Sequence, residues 1–335
     1  PDKEWFNYRI RVQGKTIQTF INDMLAAEYT EPEDIYRSEG MEGRVLESGT
    51  FAFQCHDPES VVYYKNIKVK VLPDDLPTPG IPPQDLEFEK QLIDLAAKNF
   101  PLIDLHTHLK GGITEEEALA HARSYGFTYG IAWNCGIKMG FESDEELNRF
   151  LDDYQPSPFI WTAMQAEGRE WLDLFSKESM DRFDYVFTDA MTWTNDKGKR
   201  MRLWIPEETE VGDPQDFMDQ LVDRIVGIVS NEPIDIYVNP TYLPADMVDQ
   251  YDLLWTDERI KAVVKALAES GVALEINNRN RIPSAKFIKM AKEAGVKFTL
   301  GTNNGGANDL GRMDYAIKMI AACGLTPQDM WIPGK

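Results

Sequence analysis

Histidine is scarce in this chain, with four in 335 residues, and cysteine is scarcer still. Cys55, Cys135 and Cys323 are odd in number and far apart, which excludes a disulfide framework and a Cys-x-x-Cys metal signature and leaves the redox compartment open. Positive charge is also short. Against 56 Asp and Glu stand 35 Lys and Arg, a net charge of −21 that would repel a phosphate backbone or an anionic membrane surface, so nucleic acid is excluded as a partner. No stretch approaches about 20 consecutive apolar residues, and a membrane-spanning helix is excluded with it. A small-molecule or glycan substrate is left. The chain opens with Pro1 rather than Met, so upstream sequence, and any signal peptide in it, is expected to be missing.

What is present begins with a core. Hydrophobic residues make up 43% of the chain, enough for a large barrel with an appendage. Residues 1–72 read as antiparallel β-structure: 8–12 and 16–21 alternate apolar and polar about Gln13-Gly14, Asn22-Asp23 offers the next turn, and 49–54 and 61–71 extend the pattern. This is a β-sandwich fragment. Residues 73–83 carry five prolines and read as a stiff linker and domain boundary. Over 84–335 short β-branched runs alternate with helical segments such as 114–123, 216–226 and 284–292. Strands are expected at 102–105, 128–132, 159–164, 184–188, 235–239, 273–276 and 297–301. Seven strand-helix units predict an α/β protein built on a distorted (β/α)7 TIM-like barrel, with the small antiparallel sandwich fragment at its N-terminus.

Chemistry in such barrels lies at the C-terminal strand ends. The first strand runs Ile103-Asp104-Leu105-His106-Thr107-His108 and holds half of the histidines; residues two apart on a strand share a side, so both imidazoles can converge on one ion. Every other strand end is polar. Glu167 is the third ligand expected, because a carboxylate completes a two-histidine site for one divalent ion, zinc, manganese or iron. Asp189, ranked above Glu275, is the expected general base, and Lys110 completes the catalytic group. Arg169, Asn134, Asn239, Glu275, Asn277, Asn303, Asn304 and Trp193 form the expected substrate-binding group. Arg279 and Arg281 add positive charge near the same rim, or form surface ion pairs worth little. Residues 191–204, with two indoles and four basic residues, are expected to arch over the rim, where indole faces could stack on sugars. The blander readings are a Glu167 that merely pairs with Arg169 or Lys110, tryptophans that serve as core, a His121 that packs within a helix, and an inert Cys135 thiol.

From residue 102 to about 331 the chain resembles the polymerase and histidinol phosphatase (PHP) superfamily of metal-dependent phosphoesterases, an amidohydrolase-like barrel. The likeness rests on Asp104-Leu105-His106-Thr107-His108, Ala166-Glu167-Gly168, Ala273-Leu274-Glu275-Ile276-Asn277 and Gly295-Val296-Lys297-Phe298-Thr299-Leu300-Gly301. It implies a seven-stranded barrel and up to three metals. Several usual ligand positions depart from that pattern: Trp133-Asn134-Cys135 replaces Thr-Asp-His, Asp189-Ala190-Met191 a histidine, Val238-Asn239-Pro240 Gly-His-Pro, and Thr302-Asn303-Asn304-Gly305 Ser-Asp-Ala-His. A single ion on His106, His108 and Glu167, with Asp189 beside it, is the set these departures leave. Residues 4–72 resemble the C-terminal half of the 3-keto-disaccharide hydrolase domain, a concanavalin-like sandwich of exported carbohydrate-degrading proteins, through Glu4-Trp5-Phe6-Asn7-Tyr8 and Ser48-Gly49-Thr50-Phe51-Ala52-Phe53; His56 is the residue of interest there. That likeness implies a periplasmic or extracellular location. It also implies open strand edges that dock on the barrel or on a second copy, giving a homo-oligomer. The function expected is a metal-dependent hydrolase or lyase acting on a carbohydrate-related substrate. The alternatives are a non-catalytic glycan-binding barrel with a degenerate metal site and, more weakly, a phosphoesterase.

Overall fold

A computed structural model describes residues 3–54, 58–82, 84–195 and 197–334, so His56 lies outside the described residues. Contacts divide the chain into two units, 1–94 with 123–126, and 95–122 with 127–335. In the first, β1 (Tyr8–Gln13) pairs antiparallel with β2 (Thr16–Ile21), and β2 with β3 (Met24–Thr30). Both turns have the expected chemistry. Gly14 sits at φ +55 and Asn22-Asp23 at φ 47 and 64, the left-handed conformations that match a tight hairpin to strand twist.

The strands expected at 49–54 and 61–71 are not formed. Alternation supplies a face, but a strand is held by a ladder, and these runs have no ladder partner among the described residues. Their side chains stay in solvent, from Tyr64 at 53% exposure to Val71 at 87%. The proline-rich stretch turns at Asp74-Asp75 and is tied to the small sheet: Lys15 N donates to Thr78 Oγ1 at 3.2 Å, and the Gln13 amide and Thr16 hydroxyl donate to the Pro77 and Pro79 carbonyls.

The second unit is a nearly closed barrel. Its seven parallel strands are β4 (Ile103–Thr107), β5 (Thr128–Cys135), β6 (Trp161–Ala166), β7 (Tyr185–Thr188), β10 (Ile236–Tyr237), β11 (Ala273–Asn277) and β12 (Phe298–Gly301), hydrogen-bonded in that order. All seven fall where the β-branched runs placed them. Between β7 and β10 lies a hairpin of β8 (Thr192–Thr194) and β9 (Arg200–Arg202). The intervening helices follow from capping and periodicity. Asp213 accepts from Gln215 N and Asp216 N to start the helix Pro214–Asn231, which buries Phe217, Leu221, Val222, Ile225, Ile228 and Val229 along one stripe. Thr256 caps Asp257–Ser270, and Gly271 ends it at φ 75.

Inside the barrel, Ile103, Leu105, Ala132, Ala163, Tyr185, Phe187, Ile236, Val238 and Ala273 form one buried cluster. The ladder does not continue between β4 and β12. Side chains close that seam: Thr302 N and Oγ1 donate to the two Asp104 oxygens at 2.9 and 2.5 Å, and His108 N donates to Asn304 Oδ1 at 2.7 Å.

His121 lies in the helix Glu115–Tyr125, its Nδ1 2.7 Å from the Tyr129 hydroxyl and its ring stacked near Phe127, which matches a packing role. Burial, helped by the Arg312 charge, lowers its pKa from 6.5 to about 4. The unfolded chain therefore takes up a proton that the folded chain refuses, and stability falls as pH drops from about 6.5 to about 4. The full effect is about 3 kcal/mol. Urea unfolding of wild type and His121→Gln across that range should show the slope flattening in the variant by up to about 1.4 kcal/mol per pH unit.

Candidate active site

The two histidines lie where β4 departs from regular register: its pairing with β5 shifts between Asp104 and Thr107. Such a bulge re-aims side chains, and here it leaves His106 and His108 both buried with ring centroids 5.2 Å apart. Each ring is anchored by a single contact. His106 Nδ1 lies 2.7 Å from Glu275 Oε1, a contact that holds a proton on Nδ1 toward the carboxylate and fixes the ring's orientation. The His108 ring bonds the Ala132 backbone, and burial, followed by the charges of His106 and Lys110, holds its pKa well below the usual value. The Nε2 atoms of both residues are buried and have no hydrogen-bond partner among the described residues.

Glu167 follows β6 at Gly168, where φ is 76. Its Oε1 accepts from Gln165 Nε2 at 2.8 Å and from Asn134 Nδ2 at 3.2 Å, and its Oε2 has no partner. Burial, with the Asp189 charge behind it, lifts the Glu167 pKa to about 8. Asp189 is raised by burial too, although Met191 N and Asn239 Nδ2 donate to it at 2.8 and 2.9 Å. Lys110 is exposed at the mouth, its pKa lowered by desolvation and then by Arg279. The expected catalytic residues are thus brought together.

The expected binding residues divide. Asn134 supports Glu167, and Asn239 Oδ1 gathers the amides of Asn277, Asn280 and Asn303 at 3.1, 3.1 and 3.4 Å. Asn304 is committed to the His108 backbone, whose N and O it bonds at 2.7 and 2.9 Å. Glu275 serves His106, Asn239 N and Asn277 rather than a substrate. Two expectations are corrected. Arg169 is no substrate anchor, because its terminal nitrogens are engaged by Glu232 at 2.6 Å, Thr188 Oγ1 at 2.8 Å and Asp189 O at 3.0 Å. Trp193 is no sugar platform, because it is 1% exposed, 5.4 Å from the Phe217 ring and covered by Arg224. Sequence reasoning missed Asp104, Gln165 and Thr302 as site-building residues. The signal for Asp104 was in the spacing, since it shares a strand face with His106 and His108.

Among the described residues, no group of three or more His, Cys, Asp or Glu side chains is gathered to hold a metal ion as it stands. What the rim offers instead is four buried polar atoms with no partner among the described residues: the Nε2 atoms of His106 and His108, Glu167 Oε2 and the amide oxygen of Gln165. Buried polar atoms are rarely left unpaired, and this donor set suits a borderline divalent cation.

A seven-stranded, nearly closed α/β barrel with two buried histidines at its rim is the class that this fold defines. Its relatives of known sequence carry phosphatase names. A probable phosphatase of Thermoanaerobacter sp. (strain X514) is 30% identical over 122 residues, 34% of this chain and 45% of the relative. A probable phosphatase of Shewanella sp. (strain ANA-3) is 32% identical over 108 residues, 30% of this chain and 38% of the relative. The chain thus spans less than half the length of the curated relatives it matches. A solved histidinol phosphate phosphatase of Lactococcus lactis, complexed with zinc, L-histidinol and phosphate, aligns at TM-score 0.44 and 16% identity, covering 67% of this chain and 94% of that one. Residues 1–70 match the model of the 3-keto-alpha-glucoside-1,2-lyase-like domain, as the N-terminal motifs implied. Both of these relatives are named as phosphatases rather than as carbohydrate-directed enzymes. No helix among the described residues is long and apolar enough to cross a membrane.

Proposed function

We propose that the barrel is a metal-assisted hydrolase of phosphoesters of small molecules. The observation that carries this reading is the set of buried unpartnered atoms on the polar rim of the barrel, with His106 Nε2, His108 Nε2 and Glu167 Oε2 among them. The phosphatase names of the relatives support the substrate class. These three residues would hold one divalent ion, with Glu167 drawn toward the histidines. Such an ion supplies positive charge that polarises a phosphoryl oxygen.

The remaining work falls to the chain's own groups. Lys110, exposed at the mouth, binds the phosphate dianion as a point charge. Asp189 accepts the proton of the attacking water, and its raised pKa brings it closer to the value a general base needs at neutral pH. Glu275 holds the His106 ring in place, and the buried Phe187 ring, 4.7 Å from that of His106, shields it from water. Turnover of p-nitrophenyl phosphate with added zinc, manganese or iron tests the reading. His108→Ala should lower it at least a hundredfold, about 2.7 kcal/mol of barrier, and remove the bound ion measured by elemental analysis. Absence of turnover by the wild type with all three ions would refute it.

A further inference from the structure

Beside the histidines, the loops after β11 and β12 enclose a cleft of about 110 Å³ whose lining includes Arg279, Arg281, Arg312, Thr302, Asp309 and Asp314. Three guanidiniums in one cleft are notable in a chain with 56 acidic and 35 basic residues. Elsewhere in the barrel several arginines pair with a carboxylate: Arg169 with Glu232, Arg200 with Glu170, Arg202 with Glu208 and Arg259 with Asp219. Arg279 and Arg281 are exposed and pair with no carboxylate among the described residues; Arg279 donates only to the Asn303 carbonyl, at 3.2 Å.

The loop that presents them is rigidly framed. Asn277 N donates to Ile282 O at 2.8 Å and Ile282 N returns a bond to Asn277 O at 3.3 Å. Arg281 holds φ +55 within it, a conformation that costs a non-glycine residue and is found at ligand clamps. Two carboxylates, Asp309 and Asp314, face the three guanidiniums, so the lining keeps one net positive charge. Both Asp309 oxygens already accept backbone N–H groups, from Gly305 at 2.8 Å and Gly306 at 2.9 Å, and Asp314 sits at the start of the helix Asp314–Cys323. The cleft also adjoins the site, since Thr302 lines it while bonding Asp104, two residues before His106.

We propose that this cleft is a second anion site, and that the substrate is a small phosphoester bearing a further anionic group, a carboxylate or a second phosphate, gripped by Arg279 and Arg281. Guanidinium forks bind either group bidentately. The substrate class rests on the phosphoester reading above, whereas the anion site itself does not. In the full chain with zinc or manganese, kcat/KM for 3-phosphoglycerate should exceed that for glycerol 3-phosphate by about tenfold or more, the scale of one charge-assisted contact. Arg281→Met, and separately Arg279→Met, should erase that preference. Propane-1,3-diyl bisphosphate, run alongside, distinguishes a phosphate from a carboxylate as the second group.

A binding measurement separates this proposal from the hydrolase reading. Calorimetric titration with inorganic phosphate should detect one site in the His108→Ala chain, weakened about tenfold in His108→Ala/Arg281→Met. Phosphate binding of that kind without any phosphoester turnover would leave the anion site standing and remove the hydrolase. Turnover with no preference between the two substrates, or phosphate binding unchanged by Arg281→Met, would overturn the anion site.

Discussion

Glu275→Ala should destabilise the barrel by about 3–5 kcal/mol, the range for removing one partner from a buried charged network. Glu275 is 1% exposed, and three donors converge on its two oxygens: His106 Nδ1 and Asn239 N at 2.7 Å, and Asn277 Nδ2 at 3.0 Å. Alanine strands all three in a site that water cannot readily reach. The melting temperature of the barrel should drop by about 10 °C, given a unit of this size. Activity should fall further than the loss of folded protein accounts for, since His106 loses the contact that holds its tautomer. Glu275→Gln keeps the volume and one acceptor, and should recover part of the stability but little of the activity. A Glu275→Ala protein as stable as the wild type would show that the carboxylate is not the keystone described here.

Gly130→Ala should cost about 3–4 kcal/mol, from overpacking together with a lost buried hydrogen bond. A methyl group at Gly130 would lie 1.8 Å from the Tyr185 hydroxyl and 2.9 Å from the ring carbon that bears it. Tyr185 cannot easily yield, because it is 2% exposed within the central cluster and its hydroxyl donates to Leu105 O at 2.7 Å. Removing the hydroxyl should relieve the worst overlap. Gly130→Ala/Tyr185→Phe is therefore expected to be more stable than Gly130→Ala alone, by about 1–2 kcal/mol of coupling in a double-mutant cycle read by urea unfolding.

The barrel strands were legible because each lies in a short apolar run bracketed by polar residues, a signal carried within four to six residues. The runs at 49–54 and 61–71 carry the same kind of signal, yet no strand forms there, because pairing depends on a neighbour that periodicity does not encode. At the site, His106, His108 and Glu167 stood out as candidate ligands from residue type and position at strand ends, and all three are buried there. Arg169 was not readable as structural, because its partner Glu232 lies 63 residues away. Trp193 failed for a related reason. A polar, basic loop looked like a cover, but one indole in a two-stranded hairpin turned inward onto Phe217. Burial of one side chain is set by the packing of distant helices, and only the assembled barrel reveals it.

The seam between β4 and β12 also governs timing. Asp104 meets Thr302 across 198 residues of chain, and His108 meets Asn304 across 196. Contacts at such separation carry a large loop-closure cost and form late. During synthesis the histidine-bearing strand therefore emerges long before the residues that lock it in place. The two imidazoles become a defined pair only when the last strand arrives, so completion of the barrel and acquisition of a competent site are one event.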